Sequence, residues 1–118
     1  MGKSICVYCA SSSSVDGAYL AAARELGAAM AARGHALVYG GGNNGLMGEL
    51  AQAALAGGAH VTGVIPEALR AKHLALETVD ELIVTGTMHE RKAAMSARAD
   101  AFIALPGGFG TFEEIIEA

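Results

Sequence analysis

Apolar positions along this chain fall into two alternating patterns. Short runs of consecutive apolar residues read as buried strands. Longer segments with apolar residues three and four apart read as helices. The first run covers residues 3–9, around Ile5-Cys6-Val7-Tyr8-Cys9, and a polar loop follows it. Asp16 is placed to cap a helix reaching residue 33, with Leu20, Leu26 and Met30 on its apolar side and Gly34 at its end. Ala36-Leu37-Val38-Tyr39 predicts a short buried strand, residues 40–44 a loop, and residues 46–55 a helix broken by Gly57-Gly58. Residues 60–65 predict a third strand, stopped by Pro66.

Residues 67–74 read as a short helix or a mobile loop. A fourth strand is expected at 81–84, with a start as early as 77 left open. A helix is expected at 87–99, a strand at 100–105, and a last helix from Thr111. This β-α-β-α-β order predicts an α/β fold: a Rossmann-like open parallel sheet with helices on both faces, in three layers. Right-handed crossovers put the strand-to-helix loops on one edge, the carboxyl edge, where ligands bind in such sheets. The last helix is short, and its Phe112, Ile115 and Ile116 need a partner surface. The fold is therefore expected to be incomplete at its C-terminal end.

Composition narrows the function. Of 118 residues, 53% are apolar and only 17% charged, which excludes a disordered chain. The formal net charge is -4 and there is no basic run, which argues against nucleic acid as a partner. No apolar stretch reaches the roughly 18 residues of a membrane span. The start, Met1-Gly2-Lys3-Ser4, enters a strand directly, so a soluble cytoplasmic protein is expected. Cys6 and Cys9 form a C-x-x-C pair inside an apolar strand, not at a helix start, and lack two further zinc ligands. They are expected to be reduced and buried.

The densest chemistry lies in Pro106-Gly107-Gly108-Phe109-Gly110-Thr111-Phe112-Glu113-Glu114. It follows a strand and opens a helix. Its glycines allow close approach of backbone to a ligand, and the helix start offers N–H donors and a positive dipole end for phosphate. Glu114 sits one turn into that helix. Thr111 and Glu114 also fit a capping box, a purely structural use of the same carboxylate. Gly40-Gly41-Gly42-Asn43-Asn44-Gly45 fits G-x-G-x-x-G between strand and helix, with Glu67 placed to act as a ribose-binding acid. Tight helix–strand packing is the alternative reading of that loop. The hydroxyls of Ser11, Ser12, Ser13 and Ser14 follow the first strand, either as donors to a ligand or as a surface loop. Thr87 and Glu90 fit a second capping box. Arg91 then lies in the first helical turn on the face of Met88 and Met95, within reach of a ligand at the sheet edge or as a solvated neighbour of Lys92. His89 reads as an exposed helix residue.

These motifs together resemble the Lonely Guy family. Pro106-Gly107-Gly108-x-Gly110-Thr111-x-x-Glu114 is similar to its P-G-G-x-G-T-x-x-E signature, and Met88-x-x-Arg91-Lys92-x-x-Met95 to its second motif. Cys6 to Ser12, Tyr39-Gly40-Gly41-Gly42 with Gly45-Leu46-Met47-Gly48, and Gly63-Val64-Ile65-Pro66 are similar too. The resemblance implies a cytokinin riboside 5′-monophosphate phosphoribohydrolase. Such an enzyme cleaves the N-glycosidic bond of an N6-modified or plain adenosine 5′-monophosphate, releasing free base and ribose 5-phosphate. It implies Arg91 and Glu114 as catalytic residues. It implies Ser11, Ser12, Gly41, Gly42, Met88, Lys92, Gly107, Gly108, Gly110 and Thr111 as substrate-binding residues. It implies a homodimer and no metal or other cofactor. The family's older label, lysine decarboxylase, finds no pyridoxal lysine among Lys3, Lys72 and Lys92. Chains of the family continue past this glutamate, so residues 1–118 read as a single nucleotide-binding domain, the N-terminal portion of a longer one. Three alternatives remain: a non-catalytic carrier of a phosphorylated ligand such as molybdenum cofactor, an inactive truncated relative, and a dinucleotide-binding domain resting on Gly40 to Gly45.

Overall fold

The computed structural model describes residues 2–9 and 17–105. Five strands alternate with four helices: β1 (Ser4–Tyr8), α1 (Gly17–Ala32), β2 (Ala36–Tyr39), α2 (Gly45–Ala56), β3 (Val61–Pro66), α3 (Glu67–Ala71), β4 (Glu81–Thr85), α4 (Met88–Ala97) and β5 (Ala101–Ala104). The strands form one sheet in the order β4-β3-β2-β1-β5, and every pairing is parallel. The expected α/β class and three-layer plan are what the structure has.

The central strands β1, β2 and β3 form here because they are apolar on both sides. Along β3 every residue from Val61 to Pro66 is buried, as expected for a parallel strand covered on both faces. Alternate strand residues feed two cores. Val7, Leu37, Tyr39 and Val61 pack with Ala23 and Met30 of α1 and Leu46, Leu50 and Ala54 of α2. Cys6, Tyr8, Val38 and Val64 pack with Met95 of α4 on the opposite face. Leu20 and Leu26 border the first core, as their spacing predicted. Cys6 and Cys9 are buried thiols, one in β1 and one just after it.

The sequence order reverses at β1. The chain runs outward through β2, β3 and β4, then returns to place β5 on the other side of β1. Tyr8 pairs with Ala104, and the Leu105 N–H donates to the Tyr8 carbonyl at 2.9 Å. The chain thus leaves β1 and β5 side by side at the carboxyl edge. That reversal is the position at which open α/β sheets hold their ligands. The expected helix cap at Asp16, the serine loop and the helix from Thr111 all lie outside the described residues.

Two boundaries refine the expectations. Residues 67–74 are a single short helix, α3, followed by an ordered turn, not one loop. The Thr87–Glu90 box is half formed. Thr87 Oγ1 accepts from the Glu90 N–H at 3.1 Å, but the Glu90 carboxylate accepts from the Gly86 N–H at 3.2 Å. It therefore caps the residue before the one that a reciprocal box requires.

Candidate functional site

Among the described residues, Arg91 is the charged side chain that the fold buries. It is 6% exposed although it stands in the first turn of α4. Its Nε donates to the Val64 carbonyl of β3 at 2.9 Å, and its Nη2 donates to the Gly40 carbonyl just beyond β2. Nη1 lies 3.8 Å from the Met88 sulfur, one turn back on the same helix. The alternative of a solvated Arg-Lys pair is therefore excluded for Arg91. Lys92, the next residue, is half-buried, and His89 is exposed as expected. A guanidinium cannot lose its proton at neutral pH, so this edge of the sheet carries a fixed positive charge.

Glycine makes room for that charge. A Cβ on Gly40 would stand 2.5 Å from Arg91 Nη2 and 2.7 Å from Met47 Cε. Gly41 has φ +81, and a Cβ there would meet Ile65 at 3.0 Å. The Tyr39 hydroxyl donates to the Gly42 carbonyl at 2.9 Å and braces the loop from below. Burial holds the Tyr39 phenol well above its ordinary range; the Cys9 thiol adds to this and Arg91 opposes it. Tyr39 is accordingly a neutral donor at all physiological pH.

The loop does not present itself to a pyrophosphate as a dinucleotide fingerprint does. The Asn43 N–H is spent on the Leu74 carbonyl at 3.0 Å, and Gly42 bridges to Ala75. Residues 72–76 lie across the loop as a strap. The Leu76 N–H donates to the Gly41 carbonyl at 2.9 Å. Asn43 Nδ2 reaches both the His73 and the Ala75 carbonyls at 3.3 Å. His73 makes the bend with φ 61, a conformation few side chains adopt. Below the strap, Arg70 grips Glu77 with two hydrogen bonds of 3.2 and 2.9 Å. That grip holds the Glu77 carboxyl below its ordinary range. Glu67, the expected ribose acid, is exposed at the start of α3.

Loop, strap and Arg91 enclose a cleft of about 170 Å³. Met47 of α2, Ile65 of β3, Leu69 of α3 and Leu74 of the strap line it, together with Gly42, Asn44 and Arg91. Of the expected site residues, Arg91 and Gly42 meet here. Met88 touches Arg91 but is 48% exposed. Gly41 is buried behind the strap, and Lys92 does not line the cleft. Ser11, Ser12, Gly107, Gly108, Gly110, Thr111 and Glu114 lie outside the described residues. Tyr39, Asn43, Leu69 and Leu74 were not expected as site residues; Tyr39 and Asn43 had a signal, their places in the Y-G-G-G turn and the G-x-G-x-x-G loop, and Leu69 and Leu74 had none. Among the described residues no cluster of His, Cys, Asp or Glu could hold a metal, and no helix is long and apolar enough to cross a membrane.

Residues 47–118 match the family model described as possible lysine decarboxylase. The chain belongs to this family. A protein of Oryza sativa subsp. japonica named probable cytokinin riboside 5′-monophosphate phosphoribohydrolase is 55% identical over 98% of this chain and 51% of its own length. Two proteins of Arabidopsis thaliana named cytokinin riboside 5′-monophosphate phosphoribohydrolase are 50% and 51% identical, again over 98% of this chain, and 54% of each is covered. The Lonely Guy resemblance is thereby upheld. The chain spans about half the length of the curated relatives it matches. Among solved structures, the molybdenum cofactor binding protein of Rippkaea orientalis superposes with a TM-score of 0.84 at 28% identity, over 98% of this chain and 69% of that one. The molybdenum cofactor carrier protein of Chlamydomonas reinhardtii gives 0.84 at 28% identity, over 98% and 70%.

Proposed function

We propose that this protein is a nucleoside 5′-monophosphate phosphoribohydrolase. Water adds across the N-glycosidic bond of an adenosine 5′-monophosphate, plain or N6-modified. The C–N bond breaks, the water oxygen stays on the sugar carbon as ribose 5-phosphate, and a proton ends on the departing base. The observation that carries this reading is the identity of 50% or more, over almost the whole chain, to proteins named for that reaction.

Breaking this bond builds positive charge on the sugar. A carboxylate beside the anomeric carbon stabilises that charge and orients water. Glu114 is proposed for this role. Arg91 holds phosphate or stabilises charge on the leaving base. Its burial supports either role, because a guanidinium in a poorly solvated cleft acts more strongly than one in water. Gly107, Gly108, Gly110 and Thr111 are proposed to receive the 5′-phosphate, supported by Ser11, Ser12 and Lys92; Gly41, Gly42 and Met88 complete the proposed substrate contacts. The side-by-side exit of β1 and β5 supports this, since it launches both segments from the ligand-binding edge. A single nucleotide-binding domain over residues 1–118, working in the cytoplasm as a homodimer, belongs to the same proposal.

A carrier function is the second reading, favoured by the two molybdenum cofactor proteins among the structural neighbours. Incubation with AMP and with N6-isopentenyl-AMP, followed by chromatography for free base and ribose 5-phosphate, separates them. Product from either nucleotide is the result expected of the hydrolase. Stable binding with no product would move the assignment to a carrier.

A further inference from the structure

Among the described residues, Met88 is the methionine that solvent reaches. The chain has five methionines, of which Met1 lies outside the described residues. Met30, Met47 and Met95 sit in the two cores at 3%, 7% and 2% exposure. Met88, the first residue of α4, is 48% exposed. The thiols of Cys6 and Cys9 are buried too. Oxidation of sulfur follows access, so a dilute peroxide meets the Met88 thioether before the other sulfurs of the described residues.

That exposed sulfur is also the one beside the buried charge. It lies 3.8 Å from Arg91 Nη1. A thioether is a weak acceptor, so it holds the guanidinium lightly. A sulfoxide oxygen in its place is a strong acceptor, and hydrogen bonds from a charged donor are the strong ones. The guanidinium cannot retreat from that oxygen. Its Nε is held by the Val64 carbonyl and its Nη2 by the Gly40 carbonyl, and Gly40 packs so closely that a Cβ there would stand 2.5 Å from Nη2.

We propose that Met88 is a site of reversible oxidation whose sulfoxide oxygen engages Arg91 Nη1 and draws it away from the substrate. A sulfur lone pair attacks one oxygen of hydrogen peroxide. The O–O bond breaks, that oxygen stays on sulfur, and the other leaves as water with both peroxide protons. Sulfur is oxidised by two electrons and the peroxide is reduced by two. Methionine sulfoxide reductases, one for each epimer, return the thioether at the expense of a thiol. The effect on turnover rests on the phosphoribohydrolase reading; the oxidation and the capture of Arg91 do not.

The test treats the full-length protein with dilute hydrogen peroxide and takes three readings. Peptide mass mapping follows the sulfoxide at each methionine, and Met88 should oxidise about tenfold faster than Met30, Met47 and Met95, as exposure dictates. The ¹H–¹⁵N resonance of Arg91 Nε, assigned by its loss in Arg91→Lys, should shift as the Met88 sulfoxide forms. Turnover of N6-isopentenyl-AMP should fall about tenfold, the scale of one charge-assisted hydrogen bond diverted from the substrate. The two reductases with their thiol reductant should restore the resonance and the turnover, and the reductant alone should not. Met88→Leu, compared with its own untreated sample, should lose nothing to peroxide. Buried methionines oxidising as fast as Met88, a Met88 sulfoxide that leaves the Arg91 resonance in place, or an equal loss of turnover in Met88→Leu would each overturn the proposal. A parent that turns over no nucleotide would end the phosphoribohydrolase reading, and the mass map and the Arg91 resonance would then decide this proposal by themselves.

Discussion

Arg91 Nε donates to the Val64 carbonyl at 2.9 Å across 27 positions of sequence. The same guanidinium donates to Gly40, 51 positions away. One side chain on α4 therefore ties together the carboxyl ends of β2 and β3. Arg91→Ala should cost about 2 kcal/mol, because it leaves buried carbonyls without their charged donor. Arg91→Lys should recover only part of this, since an ammonium has no fork to span both carbonyls. Urea unfolding measures both. An alanine variant as stable as the parent would show that these contacts contribute nothing.

The Gly40 position guards the same charge from the other side. A methyl group there collides with Arg91 Nη2 and with Met47. Gly40→Ala should push the guanidinium from its place and lower kcat/KM about a hundredfold, the cost of roughly an ångström of misplacement. The fold should survive, since the collisions are with ends of side chains. Steady-state kinetics beside a melting curve would show it; full activity in a folded variant would mean that Arg91's position is not needed.

Tyr39→Phe removes the hydroxyl that braces Gly42 and should cost about 1 kcal/mol. It should also change the alkaline limb. The buried phenol titrates well above its ordinary range, so above about pH 10 the unfolded chain loses a proton that the folded chain keeps. Stability then falls as pH rises through that window. The phenylalanine variant should lack this component. Melting temperatures of both proteins between neutral pH and pH 11 are the check, and parallel curves would contradict it.

Much of this architecture was legible because parallel strands are apolar on both faces. Ala36–Tyr39 stands as it was read, and β3 differs by one residue at each end. The ranking of the Arg91 readings was not legible. Its burial depends on the Val64 and Gly40 carbonyls, which carry no sequence signal. The strap was invisible for the same reason: its bonds run to the main chain of His73, Leu74 and Ala75, whose side chains show no periodicity. The half-formed box at Thr87 shows the limit of a motif, since spacing cannot say which N–H a glutamate will choose. The glycine-rich tail and Glu114 lie outside the described residues, so their proposed roles rest on sequence and kinship.

The central claim is that Glu114 and Arg91 act together on a nucleotide. The most direct measurement compares parent, Glu114→Gln and Arg91→Ala in the full-length protein, using quantitative release of free base and ribose 5-phosphate from N6-isopentenyl-AMP. The account predicts that the parent turns over. It predicts that Glu114→Gln binds the nucleotide with near-parent affinity and releases no product, and that Arg91→Ala loses turnover, affinity or both. Parent-like product release from folded Glu114→Gln would contradict it, because the charge proposed to stabilise the transition state would then be unnecessary.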